Sequence, residues 1–152
     1  MVMTFPLPLP MQRALALAAG AARDGEVPVG AVIVRGGTII GEGVNRTRRN
    51  LDPSAHAEIV AIRSGCATLG SDRLSGCELW VTLEPCAMCA GAIAHARIDR
   101  LIYAAPDPKG GGVDHGARVF THATCHHRPD VLGGVGESTS AALLRDFFAT
   151  LR

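Results

Sequence analysis

The sequence predicts an α/β fold with three α/β/α layers, in which a mixed central sheet of about five strands carries helices on both faces. After an opening β-hairpin, strand-like and helix-like segments alternate along the chain, a pattern typical of layered α/β domains. The 152 residues suffice for one domain with a substantial core, and no repeat or linker divides them. We therefore expect a single domain over residues 1–152.

The first part of the chain is predicted to form a helix followed by a hairpin. Apolar residues recur at helical spacing over residues 11–25. Residues 29–34 and 38–43 are rich in strand-forming side chains and flank the turn Arg35-Gly36-Gly37. A polar loop with three arginines follows over residues 45–53.

A second helix is predicted to begin near Ser54, a residue type that favours the helix N-cap. This helix would carry His56 and Glu58 close to its N-terminus, together with apolar residues at core spacing.

The second half of the chain is predicted to form two strands and two helices. The strands span residues 78–83 and 100–104, and a helix of small residues lies between them at 86–96. Two prolines and four glycines predict an irregular loop over residues 106–116. The last predicted helix, at about 138–151, would bury its apolar face, which comprises Leu143, Leu144, Phe147 and Phe148.

Composition and charge limit the classes of function. The net charge is +1, so any polyanion would have to bind a local patch rather than an overall basic field. Residues 1–10 contain three prolines and no basic residue, which argues against a secretion signal. No apolar run approaches the roughly 20 residues that span a bilayer. We expect a cytoplasmic protein that is not embedded in a membrane.

Two short motifs carry the candidate chemistry, His56-Ala57-Glu58 and Pro85-Cys86-Ala87-Met88-Cys89. Cysteines three residues apart at the start of a helix can direct both sulfur atoms to one side. Two thiolates and one imidazole suit zinc, and the thiolates cancel the charge of the ion. Three protein ligands also leave one position for a water, the arrangement of a catalytic zinc site.

Glu58 is the candidate group for proton transfer, because it lies two residues from His56 and is not needed as a ligand. A structural zinc site is the alternative, but such sites usually have four Cys or His ligands and no second CxxC exists here. Cys125-His126-His127 stays open as the source of a fourth ligand. Cys66 and Cys77 are predicted to fill core positions.

Together, the two motifs form the signature of zinc deaminases. The chain resembles the TadA-type tRNA-specific adenosine deaminases of the cytidine/deoxycytidylate deaminase superfamily, and the likeness extends over roughly residues 11–151. The matching stretches are residues 26–31, 43–46, 55–59 and 81–92. The resemblance departs at Pro106, where many members have arginine, and in the loop 110–115.

The resemblance implies the cytidine-deaminase-like fold, a homodimer, one Zn²⁺ per subunit, and conversion of adenosine to inosine at the wobble position of a tRNA anticodon loop. It makes His56, Cys86 and Cys89 the zinc ligands and Glu58 the proton shuttle. Implied or candidate substrate contacts are Asn45, which matches an asparagine that binds the flipped base; Val29 and Ala57 at the pocket wall; Pro85, whose backbone lies near the reacting centre; and Asp107, Lys109, Phe147 and Phe148.

Other readings of these residues stay open. Asn45 also suits an ordinary turn, and one of the two adjacent phenylalanines is expected in the core. The basic residues Arg46, Arg48, Arg49, Lys109, Arg118, His122, His126, His127 and Arg128 either line an RNA channel or are solvated surface charges. Two rival functions remain: a deaminase of a free nucleobase or nucleoside, and a non-catalytic zinc-binding subunit that helps a partner hold RNA.

Overall fold

A computed structural model describes residues 6–151 of the chain. Residues 1–5, half of the stretch in which we predict no secretion signal, lie outside the described residues. Among the described helices, none is both long enough and apolar enough to cross a membrane. The elements are α1 (Leu9–Arg23), β1 (Gly30–Arg35), β2 (Thr38–Val44), α2 (Ala57–Leu69), β3 (Cys77–Leu83), α3 (Ala87–Ala96), β4 (Arg100–Ala105), a 3₁₀ turn (Val119–Thr121), β5 (Asp130–Leu132) and α4 (Glu137–Ala149).

The five strands form one mixed sheet in the order β2-β1-β3-β4-β5. β1 pairs antiparallel with both β2 and β3, while β3, β4 and β5 run parallel to one another. This topology confirms the mixed α/β fold and the opening hairpin predicted from the sequence. It also brings the carboxyl ends of β3 and β4 to one edge of the sheet, where the loops after these strands begin.

Side chains alternate between two separate cores, one on each face of the sheet. On β4, Leu101 and Tyr103 enter the core formed with α2 and α3. Their neighbours Ile102 and Ala104 enter the second core, which includes Met11 of α1 and is packed by residues of α4. The period-two pattern of the strand therefore separates two helix pairs onto opposite faces, giving the three-layer fold.

Glycines of β2 allow α2 to approach the sheet very closely. A Cβ atom at Gly43 would lie 2.3 Å from the carbonyl oxygen of Ala57 and 2.5 Å from the amide of Ala61. At Gly41 it would lie 2.5 Å from the amide of Gly65. Because Ala57 is the first residue of α2, this contact fixes the end of the helix that carries His56 and Glu58.

The structure corrects the predicted start of α2. Ser54 does not cap the helix, because its hydroxyl donates to Asp52 Oδ1 at 2.7 Å instead. His56 occupies the N-cap position with extended backbone, at φ −70° and ψ 156°. The histidine therefore precedes the helix rather than lying within it.

The prediction that α4 buries both phenylalanines is wrong for Phe148, whose exposed fraction is 47%. Ser140 and Phe147 lie seven residues apart on the inward face of the helix and are both buried. Phe148 is turned about 100° from Phe147 around the helix and faces outward. Strand β5, which has three exposed residues, was not located from the sequence because it lacks an apolar pattern.

Substitution of Gly43 by alanine tests the close contact between α2 and β2. We expect Gly43→Ala to lower the free energy of unfolding by about 1–3 kcal/mol, because the added methyl group overlaps the backbone of α2. The control is Gly91→Ala in α3, where a Cβ meets no atom within 4 Å and helix propensity favours alanine. Equal stability of the two variants in urea unfolding would contradict this account.

Candidate active site

His56, Cys86 and Cys89 meet where the N-termini of α2 and α3 converge. His56 and Cys86 are the N-cap residues of these helices, and Cys89 lies in the first turn of α3. The Nδ1 atom of His56 lies 3.5 Å from the sulfur atoms of both cysteines. The structure therefore brings together the three residues that the sequence singled out as zinc ligands.

The donor set fits a zinc ion. One nitrogen and two sulfur atoms lie within 4.8 Å of one another, and residues 6–151 contain no other cluster of three or more such groups. Hydrogen bonding from Cys89, and then from His56, lowers the pKa of Cys86 to about 4. The same contact with Cys86, together with burial, raises the pKa of Cys89. The two thiols and the imidazole are thus linked by hydrogen bonds, and binding of a thiophilic divalent cation would displace the protons in these bonds.

The segment Cys125-His126-His127, the alternative source of a fourth ligand, is not part of this cluster. Cys125 donates from its sulfur to the backbone carbonyl of His127, and the ring of His126 lies 5.7 Å from that of His95. His127 itself bonds the carbonyl oxygen of Ile98. The cluster therefore has three protein ligands, as a catalytic zinc site does.

Glu58 is buried beside the three candidate metal ligands, with an exposed fraction of 4%. It lies in the first turn of α2, two residues after His56. Burial raises the pKa of its carboxyl to about 6. A carboxyl in this range can both hold and release a proton near neutral pH, which suits a general acid and base.

A cleft of about 360 Å³ opens onto the cluster, which is large enough for a nucleobase. Its lining residues come from the loops and element ends around the site: Val27, Val29, Asn45, Thr47, His56, Ala57, Glu58, Leu83, Glu84, Cys86, Asp107 and Gly110.

Four of the candidate substrate contacts therefore line the cleft, namely Val29, Asn45, Ala57 and Asp107. Pro85 is buried next to Cys86, and Lys109 is exposed next to Gly110, but neither is a lining residue. Phe147 and Phe148 pack edge-to-face on α4, and no residue of α4 lines the cleft.

Asn45 is held in place by Glu26, which the sequence analysis did not single out as a site residue. Glu26 is buried, with an exposed fraction of 4%. Its carboxylate accepts from Asn45 Nδ2 at 3.3 Å and from the amide of Arg49 at 2.8 Å. A carboxylate can only accept, so it fixes which end of the Asn45 amide faces it. The sequence feature that could have indicated this role is the position of Glu26, a charged residue between α1 and the buried strand β1.

Glu84 organises the segment we call the rim loop, residues 107–115. Its buried carboxylate accepts from four backbone amides of this loop, at Asp107, Val113, Asp114 and His115, over 3.0–3.2 Å. The Nδ1 atom of His115 lies 2.7 Å from Glu84 Oε1. Glu84 thus hydrogen-bonds the backbone close to the candidate metal ligands. The loop is irregular, as predicted, but firmly attached.

The charged state of Glu84 is favoured by these contacts. Desolvation acts to raise its pKa, but the amide of Asp107, the side chain of His115 and the amides of Val113 and Asp114 together outweigh it, so the pKa is lowered. A depressed pKa in the folded state stabilises the fold at pH above the ordinary carboxyl range.

Comparison with known proteins identifies the class of enzyme. Residues 9–105 match the family described as the cytidine and deoxycytidylate deaminase zinc-binding region. Over 142 residues, 93% of each chain, the protein is 54% identical to a tRNA-specific adenosine deaminase of Agrobacterium fabrum. A solved structure from work on A-to-I editing by tRNA:A34 deaminases has a TM-score of 0.88 at 54% identity, covering 89% of this chain and 98% of that chain.

A more distant solved structure, a guanine deaminase from Nitrosomonas europaea, has a TM-score of 0.81 at 25% identity and covers 98% of this chain and 87% of that chain. The family match, together with the site between the two helix N-termini, defines a zinc-dependent deaminase. The chain belongs to the cytidine and deoxycytidylate deaminase family, whose matched region binds zinc.

Replacement of Cys86 by serine is expected to remove the metal. Wild-type protein should contain about one zinc per chain, and a chelator should lower its melting temperature, because zinc binds only the folded state. Cys86→Ser should contain little zinc and should not respond to the chelator. Cys66→Ser is the control, since Cys66 lies outside the cluster. Metal analysis with equal zinc in both variants would contradict the assignment.

Acid unfolding tests the charge on Glu84. At pH 7, Glu84→Gln should be less stable than wild type by about 2–4 kcal/mol, because buried amides lose a charged acceptor. This contribution is present above the ordinary carboxyl pKa and is lost as pH falls through the lowered pKa of Glu84. The stability difference measured in urea should therefore shrink below about pH 4. A difference that is independent of pH would contradict the assignment.

Proposed function

We propose that this protein deaminates adenosine hydrolytically to inosine at the wobble position of tRNA anticodons. The observation that carries this proposal is the open cleft over the His56, Cys86 and Cys89 cluster, with Glu58 in its wall. The 54% identity to a tRNA-specific adenosine deaminase, over nearly the whole length of both chains, supports the choice of substrate.

In the proposed mechanism, His56, Cys86 and Cys89 would hold a zinc ion, which would supply the Lewis acidity that lowers the pKa of water. Glu58 accepts a proton from the attacking water and delivers it to the ring nitrogen N1. It then takes the remaining proton of that water from the hydroxyl group added at C6 and passes it to the exocyclic amine, so that the bond from C6 to this nitrogen breaks, ammonia leaves and a carbonyl remains at C6. The raised pKa of Glu58 keeps both transfers accessible near neutral pH.

We assign binding of the base to the residues that line the cleft around Glu58. Val29 and Ala57 form apolar wall, and Asn45, held by Glu26, offers a hydrogen bond to the base. Asp107 lies at the rim. Lys109 and Phe148 are proposed as contacts of the RNA outside the base pocket, and the backbone at Pro85 as a contact near the reacting centre. Phe147 is assigned to the core instead.

An anticodon loop suits this cleft, since its bases are unpaired and can be turned outward. Within residues 6–151 no segment of α4 lies over the cleft, so a nucleotide that is still part of a chain can enter. The loop that carries Asn45 also exposes Arg46, Arg48 and Arg49, which are suited to phosphate contacts. We further propose a homodimer and a cytoplasmic location, by analogy with the family resemblance and with the location of tRNA.

The alternative function is deamination of a free base, and the similarity to a guanine deaminase structure favours it. A free-base enzyme gains from a sealed pocket, because a small substrate contributes little binding surface of its own. The open cleft argues for the larger substrate. The presence of Glu58 disfavours a non-catalytic zinc subunit.

The first test is inosine formation in an anticodon stem-loop with a wobble adenosine. Wild-type protein should convert it, and Glu58→Gln should lose at least about 10²-fold in kcat while retaining zinc, since only the proton-transfer group is changed. An unchanged stem-loop together with ammonia release from a free base would favour the alternative. No ammonia release from any base would favour the non-catalytic subunit.

A further inference from the structure

The rim loop contacts the cleft at one end and the buried carboxylate of Glu84 along its length. Asp107 and Gly110 line the cleft. Asp107 Oδ1 accepts from the amides of Lys109 and Gly110, at 3.2 and 2.9 Å, so these residues form one tight turn. The position of this turn therefore depends on what holds Asp107.

Glu84 holds Asp107, and its two carboxylate oxygen atoms accept hydrogen bonds from different parts of the rim loop. Oε1 accepts from the amide of Asp107 at 3.0 Å and lies 2.7 Å from His115 Nδ1. Oε2 accepts from the amides of Val113, Asp114 and His115. Oε1 thus holds the end of the loop at the cleft together with the side chain of His115, whereas Oε2 holds only backbone amides at the far end.

Glycines of the loop show how closely the backbone is drawn onto this carboxylate. A Cβ at Gly111 would lie 2.3 Å from Glu84 Oε2. The next residue, Gly112, donates to the carbonyl oxygen of Pro85 at 2.8 Å, and a Cβ there would lie 2.4 Å from the amide of Ala87. The loop therefore packs against the segment that presents Cys86, with no room for side chains between them.

We propose that Glu84 is a positioning residue for the substrate: through Asp107 it sets the rim of the cleft and hence the affinity for RNA, without taking part in the chemistry. This inference rests on the proposed function. Glu58 lies in α2 and His56 at its N-cap, so both belong to an element separate from the rim loop. A displaced rim should therefore raise KM far more than it lowers kcat.

The variant Glu84→Gln releases one end of the loop selectively. The glutamine side chain has only one carbonyl oxygen, which is better placed toward the three amides that Oε2 binds in the wild type. Its NH₂ group then faces the amide of Asp107, and because both groups are hydrogen-bond donors, this contact is lost. We expect KM for the anticodon stem-loop to rise about tenfold, with kcat within about threefold of wild type and unchanged zinc content. Hydrogen exchange should increase at the amides of Asp107 and Gly110.

The matched control is Tyr103→Phe. The hydroxyl of Tyr103 donates to the carboxylate of Asp114, so this variant loosens the same loop at the end remote from the cleft. It should lower the melting temperature but change KM by less than about twofold. A KM increase equal to that of Glu84→Gln would mean that general loosening is responsible, and would overturn the proposal. So would an unchanged KM in Glu84→Gln.

If Glu84→Gln does not fold, His115→Ala provides the milder test, because it removes the donor at Nδ1 and leaves the carboxylate in place. A KM increase of about threefold is then expected, and an unchanged KM overturns the proposal. If wild-type protein leaves the stem-loop unconverted, the proposed function fails. Hydrogen exchange still tests the positioning role of Glu84 in that case. If the amides of Asp107 and Gly110 are protected equally in the wild type and in the folded variant, that role is overturned.

Discussion

The site depends on one packing constraint, the convergence of two helix N-termini at the edge of the sheet. His56 lies at the start of α2 and Cys86 at the start of α3, and neither helix binds a metal alone. The height of α2 above β2 is set by contacts in which a single methyl group at Gly43 would overlap helix backbone. The ligand geometry is therefore determined by small residues in a strand that contributes no ligand, which is why the core beneath the site tolerates little adjustment.

Three buried carboxyl groups surround the cleft, and their environments divide structural from chemical roles. Glu84 and Glu26 accept hydrogen bonds from backbone amides and neighbouring side chains, which compensate their burial. For Glu58, burial prevails over the groups that favour its charge, and its pKa rises to about 6. A carboxylate with enough donors becomes a fixed anchor, whereas one with too few keeps a mobile proton. The same residue type is thus suited to two different tasks within one site.

Much of this arrangement follows from the sequence, because its strongest signals are periodic or local. The hairpin, α1, β3 and β4 were predicted to within about two residues, and the motifs containing His56 and Cys86 indicated a shared metal. The anchoring of Asn45 by Glu26 links residues separated by 19 positions, and no local pattern encodes such a contact. β5 is short and exposed, and the true cap of α2 was missed because Asp52 competes for the Ser54 hydroxyl. The misses therefore have three physical causes: a contact between distant residues, a competing local hydrogen bond, and a strand too short and exposed to carry a pattern.

Substrate choice in this fold must be decided at the rim of the cleft rather than at its floor. Zinc ligands and a proton shuttle act on the amidine-like carbon of any aminated base, so they distinguish poorly between a free base and a nucleotide in RNA. Ala57, Glu58 and Leu83 of the cleft wall come from α2 and β3, whereas Asn45, Thr47, Asp107 and Gly110 come from two irregular loops. Loops can change in length and sequence without moving the metal, provided that their attachment to the sheet is kept. Buried carboxylates such as Glu26 and Glu84 provide that attachment, so the same arrangement of catalytic groups is compatible with substrates of very different size.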